Sequence, residues 1–303
     1  MRSGTTWLTT QLRQHPEIWM PPIKELHYFD SLERRIGNGN LKQLSLSKTV
    51  HQRKKSVLRC FTGKSADHGG KDIEWGSVLR HPASVLWQIG FHGRFLLGRR
   101  NDDWYQACFA PRAGQIAGEI DPNYGPLHQN TVAHIRELTP DARIIFMVRD
   151  PIDRAWSHFL KTLRDKNRAL EDLSEDECLA HFASRFSRSR GSYNSILTTW
   201  FKYYPPEQIF VGFYDEISES PTALLLRIFK FLNVEPSSNY ISDKVHDHFN
   251  SSTQSRQIPL PLMRYLAEIY REEVEHLAAK VGGYAYAWHE RLESLLASAA
   301  TEK

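Results

Sequence analysis

Residues 143–159 read RIIFMVRDPIDRAWSHF, and their order sets the fold class. A continuous apolar run bounded by charge predicts a strand buried on both faces. Asp150 and Pro151 then predict a helix start, with the aspartate as cap and the proline in the first turn. The same alternation extends outward. Upstream, QIAGEI (115–120) reads as a short strand, and NTVAHIREL (130–138) is helical, with Val132, Ile135 and Leu138 at core spacing. Downstream, YNSILTTWFKYY (193–204) places Tyr193, Ile196, Leu197, Trp200, Phe201 and Tyr204 on one helical stripe. QIFVGFY (208–214) is the next strand. SPTALLLRIFKFLNV (220–234) is a helix capped by Ser220 ahead of Pro221, and LMRYLAEIYREEVEHLAAKVGG (262–283) is a long amphipathic helix stopped by glycines. Strands alternating with helices predict an α/β fold, a mainly parallel sheet flanked by helices.

The chain has 303 residues, enough for one large core or two smaller ones. We read it as a single domain over 1–303. No apolar run approaches the roughly 20 residues of a membrane span, and no signal peptide opens the sequence. Three widely spaced cysteines (Cys60, Cys108, Cys178) suit a reducing compartment and form no metal-ligand cluster. The expectation is a cytoplasmic protein without a membrane span. The formal net charge of +4 is unevenly spread: residues 31–103 hold 14 Lys/Arg against 6 Asp/Glu. This variable basic insertion reads as irregular, with short helices. It suits an anionic ligand or a solvated loop equally, and it contains no nucleic-acid-binding module.

The N-terminal stretch MRSGTTWLTTQL (1–12) has the chemistry of an anion cradle. Gly4 allows close backbone approach, and the N–H groups at the start of the helix that follows face outward, where the helix dipole favours negative charge. Arg2 adds a guanidinium fork matched to phosphate or sulfate oxygens. An ordinary capped helix fits the same residues. The pattern lacks the first glycine and the lysine of a Walker A loop, and Asp150 is explained as a helix cap. No metal is expected.

Four stretches in order, RSGTTWL (2–8), HPEIWMPPIKELHYF (15–29), AGEIDPNY (117–124) and IIFMVRDPIDRAWSHF (144–159), strongly resemble the sulfotransferases that use 3′-phosphoadenosine-5′-phosphosulfate (PAPS). The heparan-sulfate and bacterial branch is the most similar. The resemblance covers 1–30 and most of 104–285, and is weak over 31–103, where acceptor-binding elements vary. It implies a P-loop-like sulfotransferase fold, PAPS as co-substrate, and a small-molecule or carbohydrate acceptor. It implies that Arg2, Ser3, Gly4, Thr5, Thr6 and Trp7 form the 5′-phosphosulfate loop, and that Arg149 and Ser157 hold the 3′-phosphate. Tyr193, after Gly191, falls where the family contacts the nucleotide. Glu25 matches the proposed general base and His27 a neighbouring active-site histidine; with Arg2 they make the expected catalytic set. Without the resemblance, Glu25 reads as a surface carboxylate paired with Lys24 and Trp7 as a packing residue, while Tyr193 heads an apolar stripe where packing and nucleotide contact compete equally. Two departures stand out. Ile120 replaces a lysine that relatives often carry, and SSTQSRQ (251–257) replaces a basic nucleotide loop, with Arg256 as the candidate substitute.

In the family, the phosphosulfate loop follows a central strand. Here the sequence opens at the turn, so the expectation is a sheet without this first strand in the residues given. The expectation is an apolar strand of about six residues upstream, with natural loss as the alternative. Two other functions stay open: a P-loop nucleotide or small-molecule kinase, and a non-catalytic remnant that binds adenosine bisphosphate.

Overall fold

Asp150 behaves as its position predicts. Its side chain accepts from the Ile152 N–H at 2.8 Å, and Pro151 occupies the first turn of a 15-residue helix. The computed structural model describes residues 3–37, 82–247 and 257–301. In chain order the elements are α1 (Thr5–Leu12), β1 (Ile18–Trp19), α2 (Phe29–Gly37), α3 (Pro82–Leu97), α4 (Asp102–Gln106), β2 (Ile116–Ala117), α5 (Gln129–Leu138), β3 (Ile144–Val148), α6 (Pro151–Asp165), α7 (Glu175–Ala183), α8 (Arg185–Ser189), α9 (Tyr193–Phe201), β4 (Ile209–Phe213), α10 (Tyr214–Glu219), α11 (Pro221–Leu232), α12 (Leu260–Val281) and α13 (Tyr284–Thr301). They group into two compact units, each drawn from separated stretches. The first takes 3–5, 125–224 and 257–301; the second takes 6–37, 82–124 and 225–247.

In the first unit β3 and β4 pair in parallel, in register from Ile144↔Ile209 to Val148↔Phe213. Parallel neighbours need a long crossover, and α6 to α9 supply it. The beginning of β3 is less enclosed than its apolar run suggests. Met147 and Val148 are buried, whereas Ile144, Ile145 and Phe146 are half-buried. The reason is topological: among the described residues, β4 is the single strand partner of β3. Helix α6 buries Ile152, Ala155, Trp156, Phe159 and Leu163 along one face. Its Arg154 is fully buried and donates through Nη2 to the Ser187 carbonyl (3.0 Å) and the Tyr270 hydroxyl (2.9 Å), tying α6 to α8 and α12. Gly191 leaves room for this link, since a Cβ there would stand 2.7 Å from Tyr270 and 3.0 Å from Arg154. Helix α9 buries Tyr193, Ile196, Leu197 and Trp200, the stripe read from the sequence. Helix α12 stops at Gly282, whose φ of 65° is left-handed, and α13 follows, packing the Tyr284 and Trp288 rings on Phe213 at the end of β4.

The second unit is built on aromatics around a two-residue parallel pair, β1 with β2. Tyr28 stacks on Tyr105 at 5.2 Å, and Phe29 meets Tyr105 and Tyr124 edge-on. Helix α3 runs 16 residues inside the segment expected to hold only short helices; Gly90 and Gly93 obscure its period in the sequence. Helix α1 buries Trp7, Leu8 and Leu12. The Trp7 ring is 2% exposed, and its Nε1 donates to the Val245 carbonyl at 2.8 Å. No helix among the described residues is long and apolar enough to cross a membrane.

Replacing Trp7 by Phe keeps an aromatic ring but strands the buried Val245 carbonyl. The expected cost is about 1–3 kcal/mol, read as a lower urea midpoint at constant m-value. A loss below about 0.5 kcal/mol would place that carbonyl in contact with solvent.

Candidate active site

The cradle residues of the first unit are held by the register of its sheet. Val148 pairs with Phe213, so the residues that follow, Arg149 and Tyr214, leave the strand ends side by side. The Arg149 guanidinium lies 4.4 Å from the centroid of the Tyr214 ring, a cation–π contact that fixes the cation's direction. Gly4 packs on the same residue: a Cβ on it would come 3.4 Å from the Tyr214 ring and 2.2 Å from Ile217 Cδ1. Its φ of +78° is a conformation that residues with side chains adopt at a cost, so glycine suits position 4. Ser3 is buried beside it, with its hydroxyl against the Tyr193 phenol. Thr5 opens α1, whose first-turn N–H groups have no intrahelical acceptors. The Tyr193 ring is buried and its hydroxyl accepts from the Arg149 N–H at 3.4 Å. Burial pushes this phenol's pKa upward, so it remains a neutral anchor for the Arg149 backbone. Ser157 is half-buried in the second turn of α6. A glycine turn, a helix start and an anchored guanidinium suit an anionic group.

The second unit carries a cluster of titratable groups. Thr6 is half-buried in the first turn of α1, and Lys24 Nζ donates to its hydroxyl at 2.9 Å. Lys24 lies 3.9 Å from Glu25 Oε1, and Glu25 Oε2 lies 3.4 Å from His27 Nε2. On its other edge, His27 Nδ1 stands 3.1 Å from Asp121 Oδ2 and 3.4 Å from Asp30 Oδ2. Burial alone would depress the imidazole, but hydrogen bonds and charge from Asp121 and Asp30 outweigh it and raise His27 to about 10. His27 is an imidazolium at neutral pH. Glu25 is raised by its burial and by the Asp121 charge, against the pull of Lys24 and His27. Glu119, beside Asp121, is pushed to about 8, by burial first and by the Asp121 charge second.

Glu25, His27 and Asp121 bring ligand atoms within 4.8 Å of one another, a spacing that could hold a metal ion; the His27 proton supplies positive charge at that point. Trp7, read from the resemblance as part of the phosphosulfate loop, is a core residue of the second unit. Arg2 and Arg256 lie outside the described residues, as does most of the 31–103 segment. The structure adds Asp30, Glu119, Asp121 and Tyr214, which sequence reasoning passed over. Asp30 follows His27 at a three-residue spacing across the start of α2, a legible signal, and Glu119 and Asp121 sit in a motif quoted above for its missing lysine.

A family model described as the sulfotransferase family matches residues 1–238. Heparan sulfate glucosamine 3-O-sulfotransferase 5 of Mus musculus and of Homo sapiens is 26% identical over 227 residues, covering 71% of this chain and 64% of the relative. Heparan sulfate glucosamine 3-O-sulfotransferase 3B1 of Homo sapiens is 29% identical over 155 residues, or 49% of this chain and 38% of the relative. The chain thus spans less than two thirds of the length of these relatives. Among solved structures, the sulfotransferase from Alicyclobacillus acidocaldarius superposes with a TM-score of 0.62 at 22% identity, covering 95% of this chain and 94% of that one. That likeness establishes the P-loop-like α/β architecture. With the family model spanning most of the sequence, the chain belongs to the sulfotransferase family.

Proposed function

We propose that this protein transfers a sulfuryl group from PAPS to a hydroxyl or amine of a carbohydrate acceptor. The single observation that carries the reading is the line Thr6–Lys24–Glu25. A carboxyl whose pKa burial raises stands beside a lysine docked on the first turn of the phosphate-loop helix. Such a line supplies a proton acceptor and a cation together, which is what attack by an acceptor on an anionic donor requires.

PAPS, when bound, supplies an activated sulfuryl group on a phosphate that departs as a stable anion, so no proton donor is essential. The chain's residues do the rest. Ser3, Gly4, Thr5 and the start of α1 would hold the phosphosulfate. Arg149, steadied by Tyr214 and Tyr193, would hold the 3′-phosphate with Ser157. Lys24 would provide the positive charge that Ile120 does not. Glu25 would take the acceptor's proton. His27 already carries its proton at neutral pH, so its part is to orient Glu25 and balance the carboxylates around it. The heparan sulfate named in the relatives supports a sugar acceptor, and the buried unpaired thiols of Cys108 and Cys178 support a reducing, cytoplasmic setting. Labelled PAPS offered with heparan-type oligosaccharides tests the reading. Transfer of label to sugar is expected. Tight binding of adenosine 3′,5′-bisphosphate with no transfer to any acceptor would instead leave a non-catalytic binder.

Glu25→Gln should cut turnover about 10²-fold or more while adenosine bisphosphate affinity by calorimetry stays the same; full turnover would remove Glu25 as the base. Arg149→Ala deletes a charge-assisted contact worth about 1.5–3 kcal/mol, so nucleotide affinity should fall by at least tenfold. An unchanged calorimetric Kd would take Arg149 out of the site. His27 gives a pH signature. Its folded value of about 10 lies above the ordinary 6.5, so its contribution to stability is complete below pH 6.5 and is lost as pH rises toward 10. The gap in melting temperature between wild type and His27→Gln should therefore shrink steadily over that window. A gap that widens with pH would contradict the charged imidazole.

A further inference from the structure

The segment that carries Glu25 and His27 belongs to no helix or strand, yet three successive N–H groups in it are all taken by side chains. The Leu26 N–H donates to Glu119 Oε2 at 3.3 Å, the His27 N–H to Asp121 Oδ2 at 3.1 Å, and the Tyr28 N–H to the Tyr124 hydroxyl at 3.0 Å. In a strand, neighbouring N–H groups point to opposite sides. Here His27 has a φ of +54°, a conformation disfavoured for a residue with a side chain. Turns of this kind gather consecutive N–H groups into a concave anion-binding nest. In this protein the acceptors filling the nest are the chain's own side chains, two carboxyl oxygens and a phenol oxygen.

The gripping side is itself braced. Asp121 spends its other oxygen on the Asn123 N–H (3.0 Å) and the Asn123 side chain (3.1 Å). The Tyr124 N–H returns to the Asp121 carbonyl at 3.1 Å, and Pro122 stiffens the turn between them. The opposite edge of His27 is held too: Arg100 Nη1 donates to its carbonyl at 2.9 Å, and the Ser31 hydroxyl donates to the same oxygen.

The geometry points to Glu119, Asp121 and Tyr124 as positioning residues, a three-point clamp that holds His27 in its left-handed turn and thereby aims Glu25 at the acceptor. The aiming rests on the reading of Glu25 as the base. The clamp itself is a property of the backbone and can be tested without activity.

The test uses the full chain. Hydrogen–deuterium exchange should show the amides of Leu26, His27 and Tyr28 opening at least tenfold faster in Tyr124→Phe, with α12 unchanged. The same variant should lose about tenfold in kcat with its adenosine bisphosphate Kd unaltered, and that loss should vanish when Glu25→Gln is also present, because a residue acting only through Glu25 has nothing left to aim. Glu119→Ala should behave like Tyr124→Phe, and Glu119→Gln, which keeps an acceptor oxygen, should recover most of the loss. Unchanged exchange in Tyr124→Phe overturns the clamp. An equal kcat loss in both backgrounds overturns the aiming. Full turnover of Glu25→Gln alone overturns the base assignment, and the exchange result then decides the clamp by itself.

Discussion

The positive charge on His27 is the interaction on which the second unit's chemistry depends. Glu25, Asp30 and Asp121 all lie within 3.4 Å of its ring nitrogens. Like charges packed so closely raise one another's pKa values until one of them neutralises. A proton on the imidazole relieves the repulsion for all of them at once. Asp30 shows the effect: burial works against its ionisation, yet the hydrogen bond and charge of His27, with help from Arg34 and Arg100, hold its carboxyl below the usual range. Glu119 lacks that partner and is pushed to about 8 by burial and by Asp121. Carboxyls two residues apart in sequence thus have different neighbours and different environments. Lysine at the position of Ile120 would bring a second cation to this motif; in this chain the imidazolium and Lys24 carry the charge balance.

The first unit solves a different problem, the steady placement of a cation and a bare turn. It does so with the ends of two parallel strands, the location where open α/β sheets generally place ligands. Because β3 and β4 are in register, Arg149 and Tyr214 emerge together, and Gly4 packs beside the same ring with a positive φ. Arg154, five residues beyond Arg149, has the opposite fate. It is fully buried and serves as a structural tie to Ser187 and Tyr270. Two arginines of one motif take up unlike roles because one leaves a strand end and the other sits on the inward face of α6.

The sequence by itself determined the strand–cap–helix order around Asp150, the buried stripe of α9, the glycine stop of α12 and the placing of Glu25 and His27 in one short segment. These are local matters of period, capping and turn chemistry, which neighbouring residues settle among themselves. It did not mark α3, where two glycines blur the period, or the half-exposed start of β3, because an apolar run does not report how many strands flank it. The tertiary structure alone decided that Arg149 rests on Tyr214, that Asp121 and Asp30 share one imidazole, and that Glu119, Asp121 and Tyr124 grip three consecutive amides. Each of those outcomes depends on which distant segments meet and in what register, and pairing over tens of residues leaves no periodic trace in the chain.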